Sequence, residues 1–482
     1  MPASNRIKNQ HLLWRAAFGP MAENAASLDT ISQKDLWALL VKTSAKPAQK
    51  LEITKNPADE YMPGMTDPKE MEKVLSNQEL RKKLREQSRD DLKKGNLLWI
   101  ETMVNSEAQL REKMSLFWHG HFACRSQNSF FAQELLHIIR SNALGNFADM
   151  LKAVSKSPAM LQFLNNQQNK KSHPNENFAR EVMELFTMGR GNYTENDVKE
   201  AARAFTGWTF EPRGGFVVRK FQHDDGSKTF LGKTGNFDGD DILNILLENK
   251  QTANYISKKI YRYFVNENVN EQNQQWLSKR FYANNYDIAK LLEDIFTSDW
   301  FYDEKNIGNR IKSPVELIVG IRRLLPLQLE NDQSQLQLQR ALGQVLFYPP
   351  NVAGWPGGKN WIDSSSLMLR LRIPQILSAN DAMDIRPKSD DDVQMGQMME
   401  AVKKMKEAVK GGTATIDWAA VNAIFEKVQR DKLLESITAT VLQTKNKVGN
   451  TVLDKYINTE SRENFIRSTV VNLMATPEYQ LC

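Results

Sequence analysis

Apolar and polar positions alternate with a helical period along most of the chain. In residues 173–188, Phe178, Val182, Leu185 and Phe186 recur at spacings that place side chains on one helix face. Similar patterns occupy residues 11–20, 28–43, 69–94, 97–118, 129–145, 195–206, 238–248, 251–265, 270–284, 286–297, 313–324, 332–346, 363–372 and 416–477. The sequence therefore predicts a mainly α, irregular multi-helical protein.

Turn and cap residues refine this prediction. Thr194 and Asp197 approximate a capping box for the helix that follows them. Gly95 is predicted to separate two helices, because glycine weakens a helix interior. Residues 216–221 and 229–231 are rich in β-formers. They predict one small β-hairpin, near residues 216–231.

Composition shifts divide the chain into three parts. Residues 1–375 are expected to form the main α-helical domain, which carries the candidate site. Residues 376–415 read as a charged, Met-rich peripheral insertion. Residues 416–482 are expected to be C-terminal helices that pack on the main domain.

The totals exclude several function classes. The chain has 482 residues, 41% hydrophobic and 25% charged, with a net charge of +6. This is the composition of a globular protein, and no dense basic tract suggests a nucleic-acid partner. No apolar run is long enough for a membrane span, and the first residues lack the apolar segment of a signal peptide. The only cysteines, Cys124 and Cys482, cannot form a disulfide framework.

The helix at residues 173–188 has a polar stripe that carries candidate chemistry. Arg180, Glu181 and Glu184 fall together on this stripe. Two carboxyl groups one turn apart are candidates for acid–base catalysis, and Arg180 for binding an anionic substrate. The alternative is a ladder of ion pairs within the helix, which would be solvated and would stabilise it only weakly.

The histidines suggest a metal site. His119 and His121 form a His-x-His pair near a helix end, and His173 opens the polar run of the later helix. Two imidazoles with a carboxylate from Glu181 or Glu184 would suit a divalent metal, the candidate cofactor. The alternative is that the paired histidines alternate around a turn, one packed and one solvated.

A loop downstream offers a second acid–base pair. His223 and Asp224 are candidate catalytic groups, and Arg203 and Lys228 are candidate anchors for anionic groups. The alternative is that Asp and Gly were selected here for the turn itself.

Two tryptophans are candidates for binding a sugar. Trp208 and Trp355 lie in loops rich in Gly and Pro, and exposed aromatic rings offer stacking faces. The alternative is that they fill the core from these loops.

Three runs together resemble the bacterial family known as domain of unknown function 1800. They are His173–Leu185, Ala202–Trp208 and His223–Lys228, and the resemblance extends over nearly the whole chain. It implies an exported protein, in the periplasm or outside the cell, that often neighbours a sulfatase-like family. Many members have histidine where this chain has Phe186, and members usually begin with an export signal that this sequence lacks.

Two functions remain open at this point. The first is an exported hydrolase or lyase, with or without a metal, that acts on a polysaccharide or another anionic substrate. The second is a non-catalytic α-helical scaffold or accessory partner of a sulfatase-like protein. In that case the polar stripe at residues 173–188 would fix the fold.

Overall fold

The structure, a computed structural model, describes residues 4–329, 332–379, 414–448 and 450–482. The prediction of a mainly α protein is confirmed. Its α-helices are α1 Asn5–Ala16, α2 Gln33–Ser44, α3 Pro57–Tyr61, α4 Pro68–Leu75, α5 Gln78–Asn105, α6 Gln109–His121, α7 Ser129–Asn142, α8 Phe147–Ser155, α9 Pro158–Phe163, α10 Asn177–Glu181, α11 Glu195–Ala204, α12 Gly239–Glu248, α13 Lys250–Phe264, α14 Glu271–Ala283, α15 Ile288–Phe296, α16 Pro314–Leu324, α17 Asp332–Leu342, α18 Ser364–Ala379, α19 Trp418–Ile424, α20 Leu433–Val441, α21 Asn450–Leu453 and α22 Arg462–Met474.

Helix starts follow side-chain capping. The predicted box at Thr194 and Asp197 is present at the start of α11, with both reciprocal hydrogen bonds formed. Gly95, however, does not end a helix, because α5 runs through it. A Cβ atom at this position would lie 2.6 Å from Cδ1 of Ile53. The glycine therefore serves close packing between α5 and the preceding loop.

The described residues form more β-structure than the single predicted hairpin. Three antiparallel pairs are described, formed by β1 Trp208–Phe210 with β2 Phe216–Val218, β3 Lys228–Phe230 with β4 Lys233–Gly235, and β5 Leu327–Leu329 with β6 Ala414–Ile416. Residues 216–218 and 228–230 thus belong to different hairpins. Leu231 and Gly232 form the turn between β3 and β4, and both have positive φ, at 45° and 79°. Two such residues suit the tight turn between paired strands.

Two large hydrophobic clusters organise the described helices. The larger contains one face of α6, the segment that follows α10, and residues of α11 to α15. The second joins α16 to α19, α20 and α22, with Trp14 at the boundary. The C-terminal helices therefore share a core with α16. Most of the predicted peripheral insertion, residues 380–413, lies outside the described residues.

Buried ion pairs fix α6 against its neighbours. Glu316 of α16 accepts hydrogen bonds from Lys113 and Arg310, and all three side chains are at most 6% exposed. Glu112 of α6 accepts a hydrogen bond from Arg140 of α7 at 2.7 Å. Among the described helices, none is both long and apolar enough to cross a membrane.

Candidate functional site

The segment after α10 is a π-helix, Val182–Thr187. The backbone N–H of Met188 donates to the carbonyl of Met183, five residues back, at 2.9 Å. Such a turn inserts one residue into the α-helical ladder, and π-helical turns often occur at functional sites. The α-helical part of the predicted 173–188 helix therefore ends at Glu181.

Two carboxyl groups lie on this helix with different surroundings. Glu184 accepts a hydrogen bond from the Tyr193 hydroxyl at 2.5 Å. Glu181 is partly buried and forms no hydrogen bond or ion pair with any residue in the described ranges. Burial, and then the charge of Glu184, raise the pKa of Glu181, whereas Arg180 opposes this shift. Glu181 thus retains its proton to a higher pH than an ordinary glutamate.

Arg180 is not available to a substrate in this arrangement. Its guanidinium donates to both carboxylate oxygens of Glu195, at 2.8 Å each, and to Glu176 at 3.5 Å. The side chain is 33% exposed, so this is a surface ion pair that contributes at most about 1 kcal/mol. The main partner of Arg180 therefore comes from α11, and Arg180 forms no ion pair with Glu181 or Glu184.

Helix α13 packs against the π-helix and brings a cation and a phenol beside it. The ammonium nitrogen of Lys259 lies 5.4 Å from the centroid of the Tyr255 ring. Burial, and then the charge of Arg262, lower the pKa of Lys259 to about 8. Burial, and then the charge of Glu184, raise the pKa of Tyr255. Tyr255 therefore lies close to both Glu184 and Lys259.

The loop at residues 223–228 is held by its own charged groups. Arg203 donates to Asp224 at 2.7 Å and to Glu200 at 3.0 Å. Lys228 is buried and donates to the carbonyls of Asp224 at 2.5 Å and Gly226 at 2.9 Å. The structure thus brings the predicted anchors Arg203 and Lys228 together with Asp224. Their hydrogen bonds, however, are made to the loop itself and stabilise it.

His223 is oriented by the same loop, and His173 lies on an adjoining turn. The Nδ1 atom of His223 lies 2.9 Å from the carbonyl oxygen of Thr206, which can only accept a hydrogen bond. Nδ1 therefore carries the proton in this contact. The backbone N–H of Lys171 donates to the carbonyl of Gln222 at 2.8 Å, which joins the two loops. His173 is exposed on its turn.

The two histidines of the His-x-His pair point in different directions. Both lie on α6, which continues to His121, and residues two apart on an α-helix are separated by about 200°. The Nε2 atom of His119 accepts a hydrogen bond from the backbone N–H of Phe347 at 3.2 Å. Nε2 of His121 lies 3.2 Å from the carbonyl of Phe186, in the π-helix. Both rings are buried among aromatic side chains.

A family model described as "Protein of unknown function (DUF1800)" matches residues 11–481. The chain belongs to this family. No curated protein and no solved structure matches the chain. Membership agrees with the resemblance found in the sequence and covers nearly the whole chain.

The described part of this DUF1800 chain offers no cluster of metal ligands. No group of three or more His, Cys, Asp or Glu side chains within the described ranges is placed to hold a metal ion. The predicted ligands His119, His121 and His173 are separated, because the first two lie on opposite faces of α6 and the third is on an exposed turn. The geometry therefore gives the metal prediction no support.

The two predicted tryptophans pack against other aromatic side chains. Trp208 is 2% exposed and packs against Phe205 and Phe216, with ring centroids 5.1 Å away in each case. Trp355 is partly buried, with its ring centroid 5.4 Å from that of His119. Trp208 is thus a core residue, as the alternative interpretation of the sequence had it.

Acid should destabilise this DUF1800 protein through its buried histidines. Burial lowers the pKa of His119 from 6.5 to about 4, so the unfolded state binds more protons between these values. Stability therefore falls as pH falls through this window, by about 3 kcal/mol for this one residue. We expect chemical denaturation at a series of pH values to show a shallower loss for His119→Gln than for the wild type. Parallel curves for wild type and His119→Gln would rule out this origin.

The site contains residues that sequence reasoning did not select. Tyr193 donates a hydrogen bond to Glu184, and Lys259 contacts the Tyr255 ring, yet none of these three residues lies in a motif with recognisable chemistry. The available signal was the spacing of Tyr255 and Lys259, four apart on a predicted helix.

Proposed function

We propose that this chain is an exported hydrolase or lyase that cleaves a polysaccharide or another anionic polymer, with Glu181 and Glu184 as its acid–base pair. One observation carries the proposal. The Glu181 carboxyl group is partly buried, has a raised pKa, and has no hydrogen-bonding or ionic partner in the described part of the chain. Its oxygen atoms are not among the buried unpaired atoms, so the carboxyl group is open to a ligand.

The surroundings favour different roles for the two groups. Glu181 is the better proton donor because its raised pKa keeps it protonated at higher pH. Glu184 is assigned the role of the base, because the Tyr193 hydroxyl donates a hydrogen bond to its carboxylate. Burial, and then the hydrogen bond to Glu184, raise the pKa of Tyr193 to about 12, so this hydroxyl remains a donor. Two carboxyl groups in these roles are sufficient for cleavage of a glycosidic bond.

The test is turnover by a glutamine variant on a panel of neutral and acidic polysaccharides. Glu181→Gln keeps the shape of the side chain but removes the transferable proton. We expect it to lower the rate of bond cleavage about 10²- to 10⁴-fold, the usual contribution of a positioned acid or base. Its melting temperature should remain that of the wild type, because no internal hydrogen bond or ion pair of Glu181 is lost.

The matched control is Glu426→Gln, at an exposed position in the C-terminal part of the chain. It should retain the wild-type rate. The proposal fails if the wild type cleaves no member of the panel, or if Glu181→Gln cleaves as fast as the control.

A second candidate is a non-catalytic accessory protein of a sulfatase-like partner. One observation favours it: Arg203, Asp224 and Lys228 satisfy one another and the backbone, so this motif holds a loop. Under this candidate the wild type has no turnover on the panel. It would instead form a stoichiometric complex with the sulfatase-like protein in gel filtration, and Glu181→Gln would form the same complex.

A further inference from the structure

The loop after β2 presents an aromatic ring to solvent. Phe221 is 72% exposed, the highest value among the large apolar residues that the structure describes, and Val218 at the end of β2 is 43% exposed. Isolated apolar side chains on a protein surface are common and need no explanation. Phe221 differs because lysines on two adjoining loops accompany it.

Three lysines lie on these two loops. Lys220 directly precedes Phe221, and Lys170 and Lys171 lie on the turn that adjoins the Phe221 loop. All three lysines are exposed, and none forms an ion pair with a residue in the described ranges. Their ammonium groups are therefore available to an anionic partner.

Backbone hydrogen bonds fix the Phe221 loop in place. The N–H of Lys171 donates to the carbonyl of Gln222 at 2.8 Å, which joins the two loops. The N–H of Arg219 donates to the carbonyl of Gly207, also at 2.8 Å. A Cβ atom on Gly207 would lie 2.8 Å from the carbonyl oxygen of Arg219, so the two backbones are in close contact. The aromatic ring and the lysines are thus displayed together by a fixed arrangement of loops.

Acids near these loops do not neutralise the lysines. Glu72 of α4 pairs with Arg219 at 3.2 Å, and Asp224 accepts a hydrogen bond from Arg203 at 2.7 Å. The exposed Asp225 is a single charge against three lysines. The result is a positively charged surface around an apolar centre. We call it the Phe221 surface, and it consists of Lys170, Lys171, Val218, Lys220 and Phe221.

We propose that the Phe221 surface binds the face of an anionic lipid bilayer, with the Phe221 ring inserted at the level of the headgroups. Each lysine near such a bilayer strengthens binding about fivefold, because it is attracted to acidic headgroups. An aromatic ring beside the lysines gains free energy when it leaves water for the boundary of the acyl chains. A protruding ring suits a flat partner, whereas a sugar polymer is better held by a cleft whose walls cover it. This site does not depend on the proposed roles of Glu181 and Glu184.

The first experiment is sedimentation of the full chain with phosphatidylcholine vesicles, with and without phosphatidylglycerol. The wild type should bind only the anionic vesicles, and high salt should weaken this binding. A triple variant, Lys170→Gln with Lys171→Gln and Lys220→Gln, should bind about 10²-fold more weakly. The charge-matched control should bind as the wild type does, and it replaces three exposed lysines of the C-terminal part, Lys427→Gln, Lys432→Gln and Lys455→Gln.

The second experiment reports whether the ring enters the bilayer. Cys124 and Cys482 are buried, so Phe221→Cys supplies a single exposed thiol for a polarity-sensitive fluorophore. Its emission should shift to shorter wavelength when anionic vesicles are added. The same fluorophore on Tyr456→Cys, at a position 67% exposed in the C-terminal part, should show no shift. Phe221→Ser should bind the vesicles about tenfold more weakly than the wild type.

Three results would overturn the proposal. The first is no preference of the wild type for anionic vesicles, or an equal loss of binding in the two triple variants. The second is binding that depends on the lysines while the fluorophore at position 221 remains in water, because the ring would then play no part. The third is binding of soluble polygalacturonate through the same lysines without any binding of vesicles, which would assign the Phe221 surface to a soluble polyanion instead.

Discussion

Glu316→Gln should lower the free energy of unfolding by about 3–5 kcal/mol, the usual effect of breaking a buried ion pair. Glu316 is 1% exposed and accepts hydrogen bonds from both Lys113 and Arg310. Burial opposes its ionisation, but Arg310 and Lys113 reverse this effect and bring its pKa well below the usual range. Glutamine would remove the charge that pairs directly with both buried cations and would leave only the more indirect effect of Cys482 on them. Its Nε2 would also replace the carboxylate oxygen that accepts from a cation or from the backbone N–H of Ser313.

The matched control for this variant is an exposed ion pair. Glu107 pairs with Lys46 at 3.3 Å, and both side chains are more than 70% exposed. Glu107→Gln should change stability by less than about 1 kcal/mol. The free energies of unfolding of both variants are measured by denaturant titration. Equal small losses would show that the ion pairs of Glu316 do not hold α6 to α16.

Trp208→Ala should destabilise the fold by about 3–5 kcal/mol, because truncating a buried tryptophan leaves a large cavity. Besides Phe205 and Phe216, the ring contacts the backbone of α12, where a Cβ atom on Gly239 would lie 2.3 Å from Cζ2 of Trp208. Lys156 lies over the same ring at 5.5 Å. The indole therefore joins β1, β2 and the start of α12.

This variant also separates the two interpretations of Trp208. The control is Trp276→Ala, because Trp276 is 41% exposed and its loss should change stability little. If Trp208 lined a sugar-binding cleft, Trp208→Ala would keep the wild-type melting temperature and lose only substrate affinity. That result would contradict the packing described here.

The helices could be predicted from sequence because their signals are local. Apolar spacing and caps such as Thr194 with Asp197 lie within a few residues of the helix they define. The sequence prediction was wrong where contacts between residues far apart in the chain determine the local structure. Gly95 stays helical because Ile53 packs on it, and residues 216–218 pair with 208–210 rather than with 229–231. No local pattern contains those partners.

The site was only partly predictable for the same reason. The stripe containing Glu181 and Glu184 is visible in the sequence, but the π-helix that carries Glu184 is not. Whether a charged side chain is free depends on partners that come from elsewhere, such as Glu195 for Arg180. Glu184 likewise receives its hydrogen bond from outside the helix, from the Tyr193 hydroxyl.

The most direct test of the central claim is the pH dependence of bond cleavage by the wild type and Glu181→Gln. A base that must be ionised and an acid that must be protonated give a bell-shaped profile. The fall of the wild-type activity at high pH should follow the loss of the Glu181 proton, whose pKa is raised by burial. In Glu181→Gln the residual activity should keep the rise and lose the fall. The same bell in both proteins would contradict the assignment of Glu181 as the proton donor.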